Sequence, residues 1–173
     1  MAARDTIGRL PRSTVTKSTL ALLCLVALAC SRPRAPSTAE ANAGIDSLNA
    51  RIVRAYRTHD PQAYGALYTD TAVFEWPAFD TVRGSVQLAA MARSNWADLK
   101  DMDLRLTVAS RRLAADAATE FGAFQQLYSD GSGVRRTEYG RYVASLLRQP
   151  DGSWRMDHFF GFEDSTRPPP SPR

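Results

Sequence analysis

The hydrophobic residues of this chain change their spacing partway along it. Over 44–58 and again over 84–96 they recur every three or four residues, as in amphipathic helices. Over 103–162 they mostly alternate with polar residues, as in half-buried strands. Helices followed by strands with short turns predict an α+β domain, in which the helices cover a single face of one antiparallel sheet.

The first half of the domain is predicted to contain three helices and one strand. The first helix covers 44–58, and Asp60 as N-cap with Pro61 after it predicts a short second helix. This helix would carry Tyr64, Leu67 and Tyr68 on one side and end at Thr69-Asp70. The segment 72–76 is β-prone, and a third helix follows over 84–96.

The second half is predicted to be a meander of four strands. The turn signals are Asp130-Gly131-Ser132-Gly133 and Pro150-Asp151-Gly152. The predicted strands cover 103–113, 119–128, 134–148 and 153–162.

The first 29 residues have the pattern of an export signal. A polar and basic stretch leads into the apolar segment Leu20–Ala29, which is shorter than the roughly 20 residues of a membrane-spanning helix. Cys30 directly after Ala29 resembles the box of a bacterial lipoprotein, whereas Ala27-Leu28-Ala29 fits the general signal peptidase. We predict a signal peptide over 1–29 and an exported domain in the cell envelope, lipid-anchored to the membrane at Cys30. The alternative is a soluble secreted or periplasmic domain released by cleavage at Ala29.

Two further segments are predicted to lie outside the folded domain, which we place at 44–163. The segment 30–43 has almost no large apolar residue and is predicted to be a flexible tether. The segment 164–173 holds four prolines and is predicted to be a disordered tail.

Charge and composition exclude several classes of protein. The formal net charge is +4, but four of the 22 basic residues and only one of the 18 acidic residues lie in the first 29 positions. The remainder is nearly neutral, so we predict no binding to nucleic acid. The two histidines, His59 and His158, are far apart and have no cysteine partner, so no metal site is predicted. The chain has no nucleophile elbow and no glycine-rich loop, and we predict no cofactor.

Four short motifs follow one another along the predicted domain. In chain order they are Asp70-Thr71-Ala72-Val73-Phe74, Arg83-Gly84, Gly140-Arg141-Tyr142 and Asp151-Gly152-Ser153-Trp154-Arg155-Met156. This series resembles the nuclear-transport-factor-2-like (NTF2-like) superfamily, with its SnoaL-like and DUF4440 branches the most similar in pattern, over about residues 44–163. The resemblance implies a cone of three N-terminal helices packed on one strongly curved, mostly antiparallel sheet. It also implies an open end that admits a small apolar ligand, and a homodimer through the outer sheet face.

The superfamily includes ketosteroid isomerase, which uses a carboxylate base and an oxyanion-stabilising tyrosine. The resemblance places Trp76 at the position of the base and Ile52 at the position of the tyrosine. Because proton abstraction and charge stabilisation need both groups within hydrogen-bond reach, the sequence argues against this mechanism.

His158 is the candidate catalytic residue. Strand alternation predicts that it shares a buried face with Trp154, Met156, Phe160 and Phe162. It is then either a general base or a hydrogen-bond donor to a ligand, or a core histidine held by a backbone carbonyl or by Arg141 or Glu138. Many members of the superfamily carry a second histidine at the position of Phe160, which weakens any paired-histidine chemistry.

Aromatic and polar residues are predicted to line a pocket. The aromatic ones have plain core packing as their alternative role. Glu75 is predicted to face away from Phe74 and Trp76, and to be solvated or ion-paired. The predicted lining is Tyr56, Tyr68, Trp76, Trp96, Phe124, Glu138, Arg141 and Phe160.

Three functions fit these features, and the fold alone does not choose between them. The first is a module that binds a small hydrophobic molecule in its cavity. The second is a SnoaL-like enzyme of isomerase, dehydratase or hydrolase type, with His158 as base and Glu138 or Arg141 as its partner. The third is a dimerisation or interaction module whose cone is filled by its own side chains and holds no cavity.

Overall fold

The computed structural model describes residues 35–77 and 80–165, which contain three helices and six strands. The predicted signal peptide, Cys30 and the segment 166–173 lie outside the described residues. The predicted disordered tail of 164–173 is corrected at residues 164 and 165, which belong to the last strand. The helices are α1 (Thr38–Arg57), α2 (Pro61–Gly65) and α3 (Ser85–Trp96). The strands are β1 (Tyr68–Glu75), β2 (Val82–Arg83), β3 (Lys100–Leu113), β4 (Ala117–Ser129), β5 (Arg135–Arg148) and β6 (Trp154–Ser165).

Helix α1 begins earlier than its apolar spacing predicts. Ser37 is its N-cap and forms a capping box with Glu40, because each side chain accepts a hydrogen bond from the backbone N–H of the other residue. Residues 38–43 therefore belong to the helix, and the predicted tether of 30–43 is corrected over this part. The motif Ser-x-x-Glu is a helix-start signal that the apolar spacing alone did not use.

All six strands form one curved sheet in the order β2-β1-β6-β5-β4-β3. Strands β3 to β6 are antiparallel neighbours, as a meander requires, while β1 lies parallel to β6. The α+β class and the mostly antiparallel sheet are confirmed. Strand β2 has two residues and was not predicted, because such a short segment carries no periodicity.

The core lies between the helices and the inner face of the sheet. Helix α1 packs against β3, and α3 packs against α2 and β1. The most deeply buried side chains are Ile45, Leu48, Tyr68, Leu88, Glu120, Leu146 and Trp154. Among the described residues, no helix combines the length and apolar character needed to span a bilayer.

A β-bulge in β6 reverses the predicted alternation. Met156 pairs with Leu146, but His158 pairs with Ser145, so an extra residue, Asp157, stands between these pairs. Trp154 and Met156 are buried on the inner side, and the next inward aromatic side chain is Phe159. His158 and Phe160 therefore lie on the outer face, which corrects the prediction that they share the buried face of Trp154.

Candidate functional site

A cavity of about 480 Å³ lies between the helices and the inner face of the sheet. Its aromatic lining residues are Tyr56, Tyr64, Tyr68, Phe74, Trp76, Trp96, Phe124, Tyr128, Tyr142 and Phe159. The aliphatic and thioether side chains are Ile52, Met91, Leu99, Leu104, Leu106 and Met156, and the polar ones are Asn49, Asn95, Gln126, Glu138 and Glu163.

The aromatic rings of the lining pack against one another on two sides of the cavity. On the helical side, the Trp96 ring meets the rings of Tyr56 and Tyr64 edge to face, at 5.4 and 5.2 Å between centroids. On the sheet side, Phe74 stacks on Phe159 at 5.1 Å. These mutual contacts keep the rings in place without a ligand.

Two tyrosines on the inner side share a hydrogen bond. The hydroxyl oxygens of Tyr64 and Tyr68 are 2.7 Å apart. Burial raises the pKa of Tyr64 to about 12 and raises that of Tyr68 well above its usual value. Both groups are therefore neutral at physiological pH, and they act as hydrogen-bond donors or acceptors without charge.

The carboxylate of Glu138 is held by two neutral donors. Glu138 lies on β5 directly opposite Gln126 of β4. The side-chain amide of Gln126 donates to Oε2, and the hydroxyl of Tyr128 donates to Oε1. Partial burial and the bond to Glu138 raise the pKa of Tyr128 to about 12. Burial, followed by the charge of Glu138, raises the pKa of Tyr56.

The accessible lining residues mark the mouth of the cavity. Asn95 at the end of α3 and Glu163 near the end of β6 are exposed, and Tyr128 and Glu138 are half-buried. Because Glu138 and Glu163 are acidic and no described lining residue is basic, the mouth carries negative charge.

A buried polar cluster lies behind the cavity wall and centres on Glu120, whose side chain is 1% exposed. Its Oε1 accepts hydrogen bonds from Asn49 at 2.9 Å and from Tyr142 at 2.8 Å. Arg111 donates to Oε2 at 2.9 Å through Nε and also contacts Asp46. Since Asn49 and Tyr142 line the cavity and Glu120 does not, we assign the cluster to positioning the wall.

Six predicted pocket residues line the cavity, and three candidate residues do not. Those in the lining are Tyr56, Tyr68, Trp76, Trp96, Phe124 and Glu138. His158, Arg141 and Phe160 are on the outer face of the sheet. His158 Nε2 lies 2.7 Å from Oε2 of Glu75, and both side chains are almost half exposed.

Arg141 and Phe160 also lie outside the cavity, because their side chains face the outer side of the sheet. Arg141 is an odd number of residues from Glu138 on the same strand, so the two side chains face opposite sides. Its guanidinium lies 5.1 Å from the centre of the Phe162 ring and forms an ion pair with Asp164 at 3.0 Å. Phe160 is 41% exposed. The predicted partnership of His158 with Glu138 or Arg141 is therefore corrected, because His158 pairs with Glu75.

The outer face of the sheet exposes several apolar side chains. Phe121 and Phe160 are each about 40% exposed. The homodimer that was expected on this face stays a prediction.

Several cavity residues were not predicted. Gln126 and Tyr128 follow Phe124 at two-residue steps, so strand alternation was a signal that could have found them. Tyr142 lies four residues after Glu138 on β5, so alternation places both side chains on the same face. Glu163 could not have been placed, since the bulge in β6 changes the face of every later residue.

Within residues 35–77 and 80–165, no group of three or more His, Cys, Asp or Glu side chains is arranged to hold a metal ion.

Helices packed on a curved six-stranded sheet, with an aromatic cavity between them, define an NTF2-like domain. The SnoaL-like domain family matches residues 37–159, and the chain belongs to this family. No curated protein matches the chain in sequence.

Solved structures of bacterial proteins share the fold. A ketosteroid isomerase-like protein from Erwinia carotovora atroseptica is 23% identical, with a TM-score of 0.61 over 71% of this chain and 95% of that one. An NTF2-like superfamily protein from Salmonella enterica serovar Typhimurium is 17% identical, with a TM-score of 0.66 over 75% and 94%. A conserved protein from Planctomyces limnophilus is 19% identical, with a TM-score of 0.66 over 72% and 96%. At these identities the likeness shows the fold alone.

Proposed function

We propose that this domain binds a small, mainly apolar molecule in its cavity. The observation that carries the proposal is the cavity itself, since about 480 Å³ lies within the range of pockets for small molecules. Its lining combines ten aromatic rings with a few polar groups, which is the usual composition of such a pocket. A cone filled by its own side chains would leave no such volume, so the cavity favours binding over the filled interaction module.

The polar groups of the lining give the ligand an orientation. Glu138 and Gln126 lie together on one side, near the mouth, while Asn49 and Tyr68 lie deeper. A ligand with one polar end and an apolar body fits this distribution, with its polar end at the mouth.

An isomerase-type enzyme is the second candidate, and the presence of Glu138 in the cavity supports it. A carboxylate within hydrogen-bond reach of a bound carbonyl compound can act as a general base. Glu138 takes this role in place of His158, because the His158 ring lies on the outer face and does not reach the cavity.

We also propose that the domain is exported and anchored to the cell envelope through a lipid at Cys30. This proposal rests on the sequence of residues 20–30 alone. Cys30→Ala should move the protein from the membrane fraction to the soluble fraction, and identical fractionation of the two proteins would contradict the anchor.

Native mass spectrometry of the full-length chain purified from cells tests the binding proposal. We expect an additional mass of a few hundred daltons under gentle conditions, which is lost on denaturation. Trp76→Ala should weaken this retention because the Trp76 ring packs on Phe124 in the cavity wall, at 5.4 Å between centroids. Phe160→Ala is the matched control, since Phe160 is an aromatic residue outside the cavity. A protein that carries no additional mass, or loses it equally in both variants, would contradict the proposal.

A further inference from the structure

We propose that the ligand carries a positive charge, as an amine or a quaternary ammonium group attached to an apolar body. This inference rests on the proposed function and specifies the class of molecule that the cavity takes. It follows from the charge of the lining, the partners of Glu138 and the aromatic rings around it.

Glu138 forms no ion pair with a cation in the described part of the chain. The carboxylate accepts hydrogen bonds from Gln126 and Tyr128, which are both neutral donors. Neutral donors satisfy the oxygens but leave the full negative charge in place. Glu163, the second acidic lining residue, has no ion pair with a described residue either.

Two basic residues near this region are already paired, although the charge of Arg136 also acts on Tyr128, its cross-strand neighbour. Arg136 follows the hairpin turn two positions before Glu138, and its Nε lies 3.0 Å from Oδ2 of Asp130. Arg57 at the end of α1 forms an ion pair with Asp103. Neither side chain lines the cavity, so the negative charge of the mouth remains available to a ligand.

Aromatic rings surround the place where a positive group would lie. Tyr56, Trp96 and Tyr128 line the cavity on the side of Glu138. The faces of such rings attract cations, and the attraction grows when water is excluded. The negative charge of Glu138 also acts on this region, because after burial it is the largest cause of the raised pKa of Tyr56.

The same features disfavour the other charge classes. An anionic ligand would be repelled by Glu138 and Glu163 with no basic lining residue to offset the repulsion. A neutral ligand would bury part of Glu138 without giving it a counter-ion, which is unfavourable. A cation with an apolar body satisfies both the carboxylate and the aromatic wall.

Three probes with one naphthalene body separate these possibilities in isothermal titration calorimetry at pH 7. They are naphthylmethylamine, naphthylmethanol and naphthoate, which are cationic, neutral and anionic at this pH. With the full-length protein, we expect the amine to bind roughly tenfold more tightly than the alcohol, with naphthoate the weakest. The preference for the amine should decrease as salt is added.

The variant Glu138→Gln removes the charge and keeps the shape of the side chain. It should bring the affinity for the amine down to that for the alcohol and leave the affinity for the alcohol unchanged. Asp116→Asn is the charge-matched control, because Asp116 lies in the turn between β3 and β4, away from the cavity lining. It should keep the wild-type preference.

The outcomes separate this inference from the proposed function. If the amine and the alcohol bind the wild-type protein equally, or if naphthoate binds most tightly, the charge inference is overturned and the apolar cavity stands. An unchanged preference in folded Glu138→Gln also overturns it. If none of the three probes binds, both the inference and the proposed function fail. The comparison of the three probes on the wild-type protein tests the inference even if the Glu138→Gln variant does not fold.

Discussion

The hydroxyl of Tyr142 donates a hydrogen bond of 2.8 Å to the buried carboxylate of Glu120. This bond joins the wall of the cavity to an internal ion pair, because Arg111 holds the other oxygen of Glu120. The shape of the cavity therefore depends on residues that no ligand touches.

Removing the cation of this cluster should destabilise the fold. Arg111→Met leaves the carboxylate of Glu120 buried without its charge partner, and we expect a loss of about 3–5 kcal/mol in the free energy of unfolding. Urea unfolding followed by circular dichroism measures it. Arg112→Met is the control, since Arg112 is exposed, and its effect should be within about 0.5 kcal/mol. Equal effects of the two variants would show that the cluster does not stabilise the fold.

Gly122 provides the space for the ring of Tyr142. A Cβ at this position would lie 2.5 Å from atoms of that ring, so Gly122→Ala must displace Tyr142 from Glu120. We expect a destabilisation of about 1–3 kcal/mol in urea unfolding. Gly131→Ala in the turn is the control, because its nearest neighbour would be 3.4 Å away. A variant at Gly122 as stable as the wild type would contradict this close packing.

Titration at alkaline pH should show that the tyrosines are buried in the native protein. Burial raises the pKa values of Tyr64 and Tyr128 to about 12, well above that of a free tyrosine. A phenol whose pKa is raised on folding stabilises the native state below pH 10, and this stability is lost as the pH rises through 12. At pH 10.5 the native protein should therefore show much less tyrosinate absorbance at 295 nm than the urea-unfolded protein. Overlapping titration curves would contradict the burial.

The position of His158 predicts that it does not take part in binding. Because its ring lies on the outer face beside Glu75, His158→Ala should leave the affinity of the cavity for an apolar dye unchanged. The half-exposed pair should contribute at most about 1 kcal/mol to stability. Dye titration and urea unfolding of this variant measure both quantities, and a large loss of binding would restore His158 as a site residue.

The order of helices and strands was predictable because it depends on local patterns. The period of the apolar residues and the turn sequences Asp130–Gly133 and Pro150–Gly152 indicate α3 and the four long strands close to where they lie. The start of β1 at Tyr68 was missed, because its first residues continue the apolar pattern of α2.

The cavity was partly predictable for a related reason. Aromatic residues on α1, α3 and β4 face inward by simple periodicity, and Glu138 does so on β5. The bulge at Asp157 was not predictable, since it depends on how β6 pairs with both β1 and β5. Because of this one extra residue, the side chain of Phe159 faces the cavity and that of His158 faces the outer side of the sheet.

A dye titration of two tryptophan variants on β3 tests the binding cavity most directly. Leu106 lines the cavity, while the next residue, Thr107, is exposed and faces the other side of the sheet. The account predicts that the wild-type protein and Thr107→Trp bind the neutral dye Nile red saturably and equally. It predicts a loss of at least about tenfold in affinity for Leu106→Trp, because the indole fills the space of the ligand. Equal binding by the two variants, or no saturable binding by the wild type, would contradict a ligand-binding cavity.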